Sequence, residues 1–256
     1  MTVTTSVILI GFSGGLLNGM TGFGALIVMV PLLVLFLDMN VAVPLGVLCG
    51  IMLQLSGTLA YRTHIDKKRL LHMFIGGLPG IWLGSALLYH LPELWLRAAL
   101  GALILFYVGW SVFFGRFRPP THPPATVWAY VAGFFSGAFG GAFGIIGPPA
   151  VIYVTRTGWS PDAIRGFLGA FFLLLFVAIA LMQVFQGVIG ADAWALAAWT
   201  VPFCLAGSVI GRRLSNRLAP KNYMRMVFIL LFAMGLSLCW PAASAFFSGA
   251  LAPLPS

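Results

Sequence analysis

The chain has 256 residues, 61% of them hydrophobic and only 7% charged, where an ordinary soluble domain carries about 25% charge. That excludes a soluble enzyme or binding module and leaves little room for one attached to a membrane core. The net charge of +9 comes from basic residues scattered in short links between apolar runs, which is the pattern of membrane topology and not of a nucleic-acid surface.

Spanning a bilayer takes about 20 apolar residues in a helix. The N-terminus, MTVTTSVILI, lacks the basic n-region of a cleaved leader, so the first segment is expected to be retained. That segment, Ser6 to Leu37, is too long for one simple span and contains GFSGGLLNGMTGFGALIVMVP, residues 11–31. Segments 41–61, 70–90 and 95–115 follow, and then a proline-rich link, RFRPPTHPPA, at 116–125. The fifth segment, 127–154, is again long, with six Gly and two Pro in GFFSGAFGGAFGIIGPP, residues 133–149. Segments 165–186, 194–211 and 223–242 complete the set, and the tail ends in SGALAPLPS.

Glycine and proline weaken helices, and broken backbone at membrane depth is tolerated where it is buried in protein or lines a cavity. Two such breaks in corresponding positions point to a transporter's binding site. The halves resemble each other: Ser13-Gly14 aligns with Ser136-Gly137, Phe23-Gly24 with Phe143-Gly144 after a three-residue gap, and Gly84-Ser85 with Gly207-Ser208.

Lys and Arg concentrate in cytoplasmic loops. Arg62, Lys67, Lys68 and Arg69 mark one such loop, Arg212, Arg213, Arg217, Lys221 and Arg225 another, and Arg116 and Arg118 the central link. The turns at 90–97 and 187–193 then lie outside. The fifth segment starts at the basic link and ends at Arg156 and Arg165, so it enters and leaves on one side, as a re-entrant hairpin of two short half-helices. The same reasoning makes the first segment a hairpin entering from the other face. The expected fold is an all-α integral membrane protein of two inverted repeats, each a Gly/Pro-broken re-entrant hairpin plus three transmembrane helices. The first repeat covers 1–115, the cytoplasmic linker 116–125, the second repeat 126–242 and a loose tail 243–256. Of the 14 Lys and Arg, this arrangement leaves only Arg97 outside.

Paired glycine-rich segments in a chain of this size resemble the TauE/SafE family of sulfite exporters and related anion permeases. The resemblance is carried by Gly140-Gly141-Ala142-Phe143-Gly144-Ile145-Ile146-Gly147-Pro148-Pro149, then by Gly158-Trp159-Ser160-Pro161 with Arg165. Ile146 stands where the family often has another Gly. The resemblance implies a multi-pass inner-membrane protein that moves small sulfur-containing anions or organic acids.

A half-helix N-terminus offers unpaired N–H groups and partial positive charge, and glycine lets an anion approach the backbone. Asn18, Thr21, Gly22 and Gly24 are expected at the first tip, and Gly140, Gly141, Gly144, Gly147 and Pro148 at the second, the two tips meeting near the midplane. The competing reading is that these glycines only let helices pack closely. Ser13 and Ser136 either donate to a ligand or bond back to their own helices. Gln54 and Gln183 either line the site or join helices, with Gln54 the better placed. Arg165 either attracts an anion from the cytoplasm or snorkels. The Trp residues read as interfacial anchors, except Trp82, which is expected to pack between helices.

No carboxylate falls mid-membrane, so a buried proton carrier is not expected. Cys49, Cys204 and Cys239 sit singly in apolar runs without metal-ligand spacing, and no metal, cofactor or redox role is expected. The expected partners are a small anionic substrate and the bilayer, and a homodimer is compatible with this reading. Rival readings are an intramembrane protease built on Gly11-Phe12-Ser13-Gly14, an anion channel, a carboxylate permease and a scaffold. The protease lacks a base: His64, His72, His90 and His122 all fall in loops or near segment ends.

Overall fold

The structure, a computed structural model, describes residues 3–22, 24–61, 65–114, 125–215 and 220–247. It consists of helices: α1 (Val3–Thr21), α2 (Ala25–Val34), α3 (Met39–Tyr61), α4 (Lys67–His90), α5 (Glu93–Phe114), α6 (Thr126–Phe143), α7 (Gly147–Val154), α8 (Pro161–Phe185), α9 (Ala191–Ser215) and α10 (Pro220–Phe247). No strand occurs among the described residues. Phe23, residues 116–124 of the predicted link, the tail from 248, and parts of both basic loops (62–64 and 216–219) lie outside the described residues. Residues 243–247, expected to be loose, continue α10; the run after Pro241, Ala-Ala-Ser-Ala, favours helix.

Among the described residues six helices are long and apolar enough to cross a membrane: α1, α3, α4, α5, α8 and α9. Large apolar side chains cover the outside of the bundle, including Phe106, Trp199, Phe185 and Trp240, as a surface facing lipid requires. Trp82 belongs to that outer surface, 62% exposed, and not between helices. It lies two residues beyond Gly80, which faces α6, and two helical steps turn a side chain to roughly the opposite face.

The two long glycine-broken segments do break, each at one point. The first breaks at Gly22–Gly24 and the second at Gly144–Ile146. The arms are unequal, contrary to the expectation of two short half-helices: 19 and 10 residues in the first, 18 and 8 in the second. At 1.5 Å per residue α1 is about 28 Å long, close to a full crossing. Its short partner α2 folds back on it, with Met29 against Gly14.

Most of the second glycine stretch is unbroken helix. Gly133, Gly137 and Gly141 of α6 lie against the α4 backbone at Met73, Gly77 and Ile81, and Gly76, Gly80 and Gly84 of α4 lie against Tyr130, Phe134 and Ala138. Any Cβ at these positions would collide with the backbone of the opposite helix. The glycines therefore let two helices approach backbone to backbone, where dispersion takes over from the missing hydrophobic driving force in lipid. The α1–α9 pair repeats this seam, with Gly11 at Thr200, Gly15 at Cys204, Gly19 at Ser208, Gly207 at Phe12 and Gly211 at Leu16.

The two seams map onto each other contact for contact. Moving from α1 to α6 shifts every partner by 122 residues (19 to 141), and moving from α4 to α9 shifts it by 127 (81 to 208). This register corrects the sequence alignment. Gly137 corresponds to Gly15, not Gly14, and Gly84 to Gly211, not Gly207. At the breaks Gly22 corresponds to Gly144: both have left-handed φ, 80° and 69°, and both N–H groups close back on the helix, to Asn18 O (2.7 Å) and Gly140 O (2.8 Å). Seam and tip share one register in space, one to four positions away from the register that small-residue matches in the sequence suggest.

The directions of the packed pairs follow from the same contacts. α1 runs parallel to α9, and α6 parallel to α4. α3 runs antiparallel to α8, since Gly50 meets Phe176 while Thr58 meets Gly169. α5 is antiparallel to α10, since Gly101 lies against Cys239 while Leu105 lies against Gly235.

Candidate functional site

The two breaks bring the N-terminal ends of α2 and α7 together. Gly144 packs on Leu26, Val30 and Val43, and Gly147 on Ile27. Between them is a small cavity of about 20 Å³, lined by Gly24, Ala25, Leu26 and Ile27, by Ile145, Ile146 and Gly147, and by Gln54 of α3 with Phe172 and Phe176 of α8. Under the 122-residue shift Gly24 exchanges with Ile146, Ala25 with Gly147 and Gln54 with Phe176. The cavity therefore lies where the two halves meet.

Gln54 is the only polar side chain in this lining. It is 3% exposed, and its Oε1 has no hydrogen-bond partner. The remaining polarity is backbone. Gly24, at φ 99°, starts α2 with no side chain capping its first turn, so the N–H groups there are open to a ligand. α7 likewise has no capping side chain, but Pro148 and Pro149 remove two of the four N–H groups of its first turn. The α2 end is thus the richer donor surface. Gly147 has a local reason to be glycine: a Cβ disfavours helical backbone in a residue preceding proline. A volume of about 20 Å³ has room for about one water.

Of the sequence-predicted residues, Gly24, Gln54 and Gly147 line the cavity, Pro148 is buried directly after Gly147 in the first turn of α7, and Gly144 packs on Leu26 of the lining. Thr21 stands beside Gly24, with its hydroxyl donating to Leu17 O at 2.8 Å. Asn18 is buried with its Oδ1 unpartnered, one helical turn before the first break. Gly140 packs under Ile179 and Ile146, and Gly141 belongs to the α4 seam. Ser136 is fully buried with an unpartnered hydroxyl, whereas Ser13 is exposed and donates to Leu9 O at 2.8 Å.

Gly22 and Arg165 meet away from the cavity. Gly22 is exposed beside the Arg165 side chain, which pairs with Asp162 at 3.6 Å and is 46% exposed. Gly22, at the first tip, thus has a cationic side chain for its neighbour. The equivalent of Arg165 at the second tip is Val43, fully buried against Gly144, so that position carries no cation at the second tip.

Sequence reasoning missed Ala25–Ile27, Ile145, Ile146, Phe172 and Phe176. The first five adjoin the breaks and follow once the break points are known. The two phenylalanines belong to the run FFLLLF, in which nothing separates lining from core.

Backbone strain at the second tip is measurable. Gly144→Ala is expected to cost about 1 kcal/mol from the left-handed φ alone, because its Cβ would meet only ordinary contacts at 3.4 Å and beyond. Gly158→Ala, at φ 72° with open space around it, should lower the melting temperature by the same amount. A much larger loss at Gly144 would mean that crowding dominates there.

Residues 7–238 match the sequence model of the family Sulfite exporter TauE/SafE. A protein of Cupriavidus necator (strain ATCC 17699), described as "Probable sulfite/organosulfonate exporter TauE", is 29% identical over 185 residues, which is 71% of this chain and 72% of that protein. No solved structure matches.

Proposed function

The chain belongs to the TauE/SafE sulfite exporter family, and from that premise we propose that it exports a small sulfur oxyanion, sulfite or an organosulfonate, by alternating access around the cavity between the two tips. It is a multi-pass membrane transporter and not an enzyme. Its cargo is a small anion, and its solvent is the bilayer. The observation that carries the reading is the cavity itself: two uncapped helix starts and one buried amide converge where the halves meet. Backbone N–H groups and helix-end dipoles hold an anion without a side-chain cation, and the site would then release its cargo when the arms part.

The packing directions support two inverted repeats, each a hairpin plus three crossings; the inner-membrane location rests on the family alone. A two-fold axis in the membrane plane makes equivalent helices antiparallel, as α3 is to α8 and α5 to α10, and makes the exchanged pairs α1–α9 and α4–α6 alike. The charge pattern agrees. Arg97, the one basic residue assigned outside, is held by Glu93 (2.6 Å), which also accepts the Met39 N–H at 3.3 Å, so its charge is balanced there. None of the five carboxylates is buried, so no carboxylate proton carrier stands inside the bundle; the membrane potential, about 2.3 kcal/mol per charge per 100 mV, favours moving an anion outward.

Purified protein in liposomes should move sulfite saturably and show counter-flow. Conductance at single-channel scale with no saturation would replace the transporter by a pore. Topology has a separate test. Cysteine placed at the exposed Ser244, near the end of α10, should react with a membrane-impermeant maleimide from outside intact cells. Protection until the cells are opened would refute the inverted arrangement.

A further inference from the structure

The two halves give the tip cavity chemically opposite walls at equivalent positions. Under the 122-residue shift Gly50 and Gln54 of α3 exchange with Phe172 and Phe176 of α8. Each pair is one helical turn apart, on one face of its helix. The first half therefore supplies a glycine and an amide, the second two rings. Gln54, Phe172 and Phe176 all line the cavity, and each is 3% exposed. The two ring centroids are 6.5 Å apart. Phe176 is seated on Gly50, where a Cβ would stand 2.9 to 3.1 Å from three of its ring carbons.

A bare oxyanion needs donors all round, because each buried oxygen left without one is costly. The polar groups here are the uncapped start of α2 at Gly24 and the Gln54 amide. Phe172 and Phe176 have no proton to donate, and the face of an aromatic ring repels negative charge. An anion that suits both walls has a polar head and a non-polar group. Rings that served only to fill the core would act on stability and on every cargo alike.

We propose that Phe176, with Phe172, sets the specificity of this site, selecting oxyanions that carry a short apolar group over those that carry none. The rings hold the apolar group while the start of α2 and Gln54 hold the head. This rests on the export reading above and narrows the cargo within it. The walls part to admit the cargo, since the space between them has room for about one water.

The test is counter-flow of labelled sulfite by the purified full chain in liposomes, with sodium ethanesulfonate and sodium butanesulfonate as competitors at constant ionic strength. A buried CH₂ is worth about fourfold in affinity, so butanesulfonate should compete at least tenfold better than ethanesulfonate in the wild type. Phe176→Gln, which repeats the amide of the opposite wall, should bring the two within about threefold of each other, and Phe176→Leu should keep the wild-type ratio. Phe172→Gln carries the same expectation if Phe176→Gln does not fold. The ratio does not depend on how much of the protein is active, so a merely structural effect leaves it unmoved. Equal competition by the two sulfonates in the wild type, with sulfite counter-flow intact, overturns the specificity proposal and leaves the export reading standing. A tenfold ratio kept by the Gln variants also overturns it, because the apolar group then rests elsewhere. Absence of sulfite counter-flow before any competitor is added is the separate failure of the export reading, and the specificity proposal falls with it.

Discussion

Gly137→Leu will abolish folding of the bundle. A Cβ at 137 would collide with the Gly77 carbonyl and sit 3.0 Å from Ile81 N. Neither atom can rotate away, because both belong to the α4 backbone. Relief requires α4 and α6 to separate along their length, which unseats Gly133 from Met73 and Gly141 from Ile81 as well. Overpacking a core costs about 1–3 kcal/mol when side chains can yield; a rigid backbone neighbour puts the cost at or beyond the top of that range, comparable with much of a protein's net stability. The expected readout is loss of monodisperse protein on size exclusion in detergent, with little accumulating in the membrane. Gly109→Leu is the control: it is a helical glycine of α5 with nothing within 4 Å, and it should express as the wild type does. Normal yield of Gly137→Leu would mean that the α4–α6 approach is looser than described.

Gln54→Leu should leave the fold intact and cut sulfite efflux at least tenfold. The amide is the only polar side chain lining the cavity, and its oxygen has no partner. Replacing an unsatisfied buried polar group by an apolar one of similar size is neutral or stabilising by about 1 kcal/mol, so the melting temperature should hold or rise. An amide serving only as glue between helices would give the opposite pattern, a lower melting temperature with efflux kept among the folded molecules. Ser13→Ala provides the reference, since that exposed hydroxyl only returns to Leu9 O; stability and efflux should both be unchanged.

The two breaks were legible in the sequence as regions but not as points. Glycine serves two unrelated purposes here. At Gly22, Gly24 and Gly144 it permits a left-handed turn; at Gly133, Gly137 and Gly141 it permits close approach of a neighbouring helix. Local composition is the same for both, and only the position of α4 separates them. For that reason Gly140 and Gly141, grouped with the second tip by sequence, lie in helix packing, while Ile145 and Ile146, unremarkable as residues, line the cavity. Arg165, grouped with the site by sequence, has the exposed Gly22 and not the cavity for its neighbour. Arg69 read only as a topology charge, because Trp159, over whose ring its guanidinium lies, is 90 positions away in the chain.

By itself the sequence determined that the protein lives in a bilayer, that its helices are interrupted twice, and where its basic residues cluster. Those properties depend on transfer free energy, backbone strain and charge, which act residue by residue. The tertiary structure alone decided which glycines join helices and which end them, the 122-residue register between the halves, and the meeting of Gln54 with the two helix starts. Each of these depends on distances between segments far apart in the chain, and no local preference encodes them.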